Sequence, residues 1–163
     1  TKISRGSNRK GIIAACVYFA CKDSNVPRSV NEIAEIFLIK NTVLTKGCKQ
    51  FKEIIQMNKL NVTRINDSSS IKIDDFIERF CSKLHLLDKD TEVIKHISKR
   101  SQELSLVNEN TPPSMASGCI YLYIKDNNLD ISKTDISEVC KISEVTINKC
   151  YKKLEIHKEE LYL

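Results

Sequence analysis

Two stretches of this chain repeat one another. Sliding the sequence by 103 positions sets residues 16–49 against 119–152 without a gap. Identities recur at Cys16 and Cys119, Tyr18 and Tyr121, Lys22 and Lys125, Asp23 and Asp126, and Asn25 and Asn128. They continue at Ser29 and Ser132, Ile33 and Ile136, Glu35 and Glu138, and Ile39 and Ile142. Whatever unit the first stretch folds into, the second must fold into as well, so the chain is two copies of one supersecondary unit.

The unit is helical. Four Gly and three Pro in 163 residues are too few for a turn-rich sandwich or barrel, and apolar residues recur three and four apart. Each copy parses into three helices, expected near 7–22, 30–38 and 43–59, and near 114–125, 134–141 and 145–158. The first is apolar on most of its circumference and is expected to be central and buried. In the second copy Pro112 and Pro113 suit a helix start, where a missing N–H costs nothing. Ser29 with Glu32, and Ser132 with Asp135, have capping-box spacing ahead of the second helix of each copy. Two more amphipathic helices, expected over 73–84 and 90–104, precede the second copy. Five helices in one unit against three in the other imply that the first lacks its leading part. The expected organisation is a partial first repeat over 1–65, a polar linker at 66–70, and a complete second repeat over 71–163.

Composition excludes several classes. With 41% hydrophobic and 29% charged residues the chain is a globular sequence, not a disordered one. No apolar run approaches the roughly 20 residues of a bilayer span, so no membrane partner is expected. The seven Cys form no Cys-x-x-Cys pair, and the three His have no ligand spacing. Reduced, buried thiols are expected, with no metal and no cofactor in this segment. Glycine-rich phosphate loops and nucleophile elbows are absent, and the chain is expected not to be an enzyme. A net charge of +5 permits an anionic partner without requiring one.

The segment 132–154 has the form of a helix-turn-helix. Ile136, Val139 and Cys140 would make the inner face of its first helix, and Ile147, Cys150, Tyr151 and Leu154 that of its second. Glu144, Thr146, Asn148, Lys149, Lys152 and Lys153 would point outward. Such a helix can touch bases with its first turn while its lysines meet phosphates. Two packed helices with a solvated basic face fit the same residues. The first copy offers Thr45, Lys46 and Lys49 at the corresponding place. Beside them Gly47 either admits a close backbone approach or is a neutral packing accident, and the accident is the expectation.

The stretches Ala14-Ala-Cys-Val-Tyr-Phe-Ala-Cys, Val26-Pro-Arg28-Ser29 and Glu32-Ile resemble the first cyclin-type repeat of the transcription factor IIB family. Phe76-Ile-Glu-Arg-Phe80-Cys81-Ser, Pro113-Ser-Met-Ala116 and Val145-Thr-Ile-Asn-Lys-Cys-Tyr151 resemble the second. The resemblance covers nearly the whole chain, in the family's order. It implies an all-α fold of two cyclin-like repeats, the first without its two leading helices, and a zinc ribbon in an amino-terminal part outside this segment. It implies a general initiation factor, a monomer in the nucleus or a cytoplasmic viral factory. Its partners would be the TATA-binding protein, promoter DNA flanking the TATA box, and RNA polymerase II or a viral equivalent. Base contacts would fall on Val145 and Asn148 with Thr146 beside them, phosphate contacts on Lys149 and Lys152, and a weaker downstream set on Thr45, Lys46 and Lys49. The family commonly has Arg at the place of Asn148. Arg suits guanine and Asn adenine, so a preference shifted from a GC-rich element, or relaxed, is expected. A cyclin-type kinase regulator and the related factor of RNA polymerase III are the alternatives.

Overall fold

The computed structural model describes residues 6–58, 72–106 and 110–163. Every regular element among them is a helix: α1 (Ser7–Asp23), α2 (Val30–Ile36), α3 (Asn41–Met57), α4 (Ile73–Lys83), α5 (Asp88–Glu103), α6 (Pro112–Asp126), α7 (Lys133–Cys140), α8 (Glu144–Glu155) and α9 (Lys158–Leu161). The chain divides into two compact units, Thr1–Ile71 and Lys72–Leu163. The expected linker at 66–70 lies outside the described residues.

In the second unit α6 is the axis. Pro112 and Pro113 occupy its first positions, and Pro113 through Ile120 are buried without interruption. Helices α4, α5, α7 and α8 pack around it. Phe76, Ile77 and Phe80 of α4 and Ile94 and Ile97 of α5 are buried to 2% exposure or less. Each such side chain contributes roughly 1.5–3 kcal/mol of transfer free energy. Tyr123 of α6 donates to Asp90 of α5 at 2.7 Å. Burial, reinforced by that bond, pushes its phenol up to about 12.

In the first unit α1 packs on α3 and α2 around Ala14, Ala15, Ile33, Ala34 and Leu44. Phe19 and Phe51 stack at 5.0 Å. The expectation that α1 is buried nearly all round is corrected here. Ile13 is 48% and Val17 39% exposed, and Cys16 is open to solvent. Their counterparts Ala116, Ile120 and Cys119 are fully buried. Helices α4 and α5 help enclose α6, whereas within the first unit α1 packs against α2 and α3. The expectation of buried thiols holds for Cys81, Cys119, Cys140 and Cys150, while Cys21 and Cys48 are half-buried and Cys16 is exposed.

Gly47 is no accident. A Cβ there would lie 2.1 Å from the Gly11 carbonyl oxygen, so α3 crosses α1 backbone against backbone. The second unit solves the same crossing differently: Gly118 of α6 faces Cys150 of α8, with 2.5 Å between a hypothetical Cβ and that of Cys150.

Helix ends repeat as faithfully as the cores. After α1, Val26 N–H reaches Cys21 O (3.0 Å) and Asn25 N–H reaches Lys22 O (3.2 Å). After α6, Leu129 N–H reaches Ile124 O (3.1 Å) and Asn128 N–H reaches Lys125 O (3.3 Å). These are Schellman motifs closed by a residue in the left-handed region. Positive φ recurs at the same offset, at Asn25 and Asn128 and at Leu38 and Lys141. The turn at Leu38 ends α2 at Ile36, two residues before the expected limit. The helix expected over 145–158 is divided into α8 and α9.

Candidate nucleic-acid interface

The helix-turn-helix of the second unit is assembled from α7 and α8. Ser132 caps α7: its Oγ accepts from Asp135 N–H, and Asp135 accepts from Ser132 N–H at 2.8 Å. The Ser132 hydroxyl also donates to the Asp135 carboxylate at 2.6 Å, and that bond, with the one from Ser132 N–H, holds the carboxyl below its ordinary value. Lys141 turns the chain in the left-handed region. Ser137 Oγ then donates to Ile142 O at 2.7 Å, fixing the turn from inside. Ser143 caps α8, its Oγ accepting from Thr146 N–H. Ile136 and Cys140 of α7 and Ile147, Cys150 and Leu154 of α8 form the buried seam. Val139 and Tyr151, read as inner-face residues, sit half-buried at its rim.

The outer side of α8 begins with Val145, 66% exposed despite being apolar. Lys149 and Lys152 follow at four and seven residues, both exposed, with half-buried Asn148 beside them. This stripe carries an apolar contact, an amide with donor and acceptor, and two ammonium groups. It is suited to a base edge flanked by phosphates. Thr146 is less free than its sequence position implied, because its hydroxyl shares a 2.9 Å hydrogen bond with Ser143 Oγ.

Glu144, read as merely outward, is held. Thr134 Oγ1 donates to its Oε1 at 3.1 Å, and Lys133 Nζ lies 3.6 Å from its Oε2. The capping role of Ser143 and this bridge escaped the sequence reading. Ser143, three residues before Thr146, was the available signal for the cap. The bridge has no local signal, since it depends on how α7 and α8 cross.

Thr45, Lys46 and Lys49 lie exposed on α3 of the first unit, at the places that Asn148, Lys149 and Lys152 occupy in the second. Thr45 Oγ1 donates to Asn41 O at 2.9 Å. The two candidate sets therefore belong to separate units. His96 is exposed, and among the described residues no group of three or more His, Cys, Asp or Glu gathers as a metal site. No helix of the described residues is long and apolar enough to cross a membrane.

The family model described as the transcription factor TFIIB repeat matches residues 1–54 and 66–157. A putative transcription initiation factor IIB-like protein of Acanthamoeba polyphaga mimivirus is 38% identical over 152 residues, 93% of this chain and 33% of its own length. Transcription initiation factor IIB of Encephalitozoon cuniculi is 31% identical over 98% of this chain and 48% of its own length. That of Xenopus laevis is 30% identical over 93% and 45%. The chain thus spans a third to a half of the relatives it matches. Two all-helical, cyclin-like units in tandem, each under a match to the same repeat, place the chain in the transcription factor IIB family.

Proposed function

We propose that this chain is the promoter-gripping core of a general transcription initiation factor. It binds the TATA-binding protein on bent promoter DNA and helps bring RNA polymerase to the start site. The carrying observation is the stripe Val145, Asn148, Lys149 and Lys152 on α8, matched by Thr45, Lys46 and Lys49 on α3. Each unit offers DNA a helix, α3 or α8, whose lysines are exposed. Phosphate contacts supply most of the affinity and little sequence information. Two linked units raise the effective concentration of the second contact once the first is made. Bending by the TATA-binding protein brings both flanks within reach together.

Base preference follows from Val145 and Asn148. An apolar side chain favours the thymine methyl, and an amide pairs with adenine N6 and N7. The preferred upstream element is therefore A·T-containing rather than GC-rich. The site of action is the nucleus, or a cytoplasmic factory if the source is viral, as the mimivirus relative is. The match to the transcription factor repeat argues against a kinase-regulating cyclin, which shares the fold.

The test is a fluorescence titration of labelled promoter with and without the TATA-binding protein, followed by binding-site selection. Expected are weak binding to bare DNA, tighter binding to the complex, and an adenine opposite Asn148. Replacing Asn148→Arg should move that choice to guanine, by about 1–3 kcal/mol of discrimination. Equal affinity for bare and complexed DNA defeats the gripping mechanism, and guanine selected by the unaltered protein defeats the assigned preference.

A further inference from the structure

The Thr134–Glu144 bridge has a twin. In the first unit Asn41 Nδ2 donates to Asn31 Oδ1 at 2.6 Å. Asn31 and Asn41 stand 103 positions before Thr134 and Glu144. The second residue of the middle helix thus bonds the first residue of the third helix in both units. None of these four residues is among the repeat's identities, so contact geometry persists here where side-chain chemistry does not. One pair is amide to amide; the other is hydroxyl to carboxylate with an ammonium beside it.

We infer that this bridge is the positioning device of the DNA-facing helix, with Thr134 and Glu144 setting how the first turn of α8 is presented. The inference rests on the DNA-binding reading above. The body of α8 is anchored by Ile147, Cys150 and Leu154. Its first turn lies outside that seam, with Val145 exposed, so the bridge and the Ser143 turn hold that end. In the first unit Lys40 makes no side-chain cap, which leaves the Asn31–Asn41 bond a larger share of the same task. A carboxylate between two helix starts is also favoured by the partial positive charge at both. Asn148 follows Glu144 by four residues, one helical turn, so a shift of the first turn is passed directly to the base-reading amide.

The decisive variants are Thr134→Val, which removes the donor without changing charge, and the pair Thr134→Asn with Glu144→Asn, which imports the first unit's bridge. The readout is the ratio of affinity for the selected site to affinity for a scrambled site, both in complex with the TATA-binding protein. Changes in net charge act on both alike and largely cancel in the ratio. Thr134→Val should lower the ratio by about three- to tenfold, the worth of one hydrogen bond, with the thermal midpoint lowered by only a few degrees. The Asn pair should return it to within about twofold of the unaltered protein. A DNA-free arm follows hydrogen exchange at the Thr146 and Ile147 amides, which should quicken in Thr134→Val and recover in the Asn pair. An unchanged ratio or unchanged exchange in Thr134→Val, or no recovery in the Asn pair, overturns the inference. If the unaltered protein selects no site, the DNA-binding reading falls instead, and the exchange arm still decides whether the bridge holds the turn.

Discussion

At the scale of single residues, the most constrained place in each unit is the helix crossing at its centre. Ala15 and Gly47 in the first unit correspond to Gly118 and Cys150 in the second. In the first unit the close approach is Gly47 to the Gly11 carbonyl, and in the second it is Gly118 to the Cys150 Cβ. Overpacking so close a contact costs typically 1–3 kcal/mol, and backbone yields less readily than side chain. Gly47→Ala, which meets a carbonyl oxygen at 2.1 Å, should cost about 3 kcal/mol, and Gly118→Ala about 2 kcal/mol. Combining Gly118→Ala with Cys150→Gly places the first unit's residue types at these two aligned positions. Chemical denaturation should then show the double variant more stable than the sum of its singles by about 1–2 kcal/mol. Strict additivity would mean that the two positions do not share one crossing. The sequence alone could not decide between a functional Gly47 and an accidental one, because the deciding atom belongs to Gly11, 36 positions earlier.

Among the elements, the starts marked by a cap or a proline were legible, while the ends of α2 and α8 were not. Ser29 with Glu32, Ser132 with Asp135, and Pro112 each mark a first turn with a residue whose chemistry serves that turn and little else. The ends use the left-handed region without glycine. Leu38, His85, Ser105 and Lys141 all have positive φ, and only Asn25 and Asn128 are residue types that advertise it. The hydrophobic residue after each turn, such as Ile39 after Leu38, completes the motif but reads as part of the periodic pattern. This is why α2 was expected to run to 38. Leu38 also keeps 88% of its surface in water, so its side chain offsets little of the strain. Leu38→Asn should therefore stabilise the first unit by about 0.5–1 kcal/mol, part of the steric cost of a left-handed residue. An increased urea midpoint at constant slope checks it; a decrease would show that Leu38 is covered by something in solution.

The whole molecule depends on the repeat, and there the sequence was most informative. An offset that preserves Tyr18, Asn25, Ser29 and Ile33 preserves core, turn and cap together, so the paired helical units follow from the pattern, while the family follows from the wording of whole stretches. The interface was legible only in part. Val145, Asn148, Lys149 and Lys152 could be placed on one stripe from helical spacing, while the bonds that orient the stripe join residues ten positions apart across a turn. On the proposed DNA-binding reading, the two stripes should make separable contributions to binding. Each lysine that neutralises a phosphate adds roughly 0.9 to the slope of log affinity against log salt. Lys149→Ala with Lys152→Ala should lower that slope by about 1.8, and Lys46→Ala with Lys49→Ala by a like amount. Both pairs should weaken selected and scrambled sites equally, because phosphates carry no sequence information. Asn148→Arg should do the reverse, changing the ratio between sites far more than the slope. Titrations at several salt concentrations on the TATA-binding-protein complex separate these outcomes. If only the second unit's lysines move the slope, α3 does not touch DNA and the first unit's exposed lysines serve solubility alone.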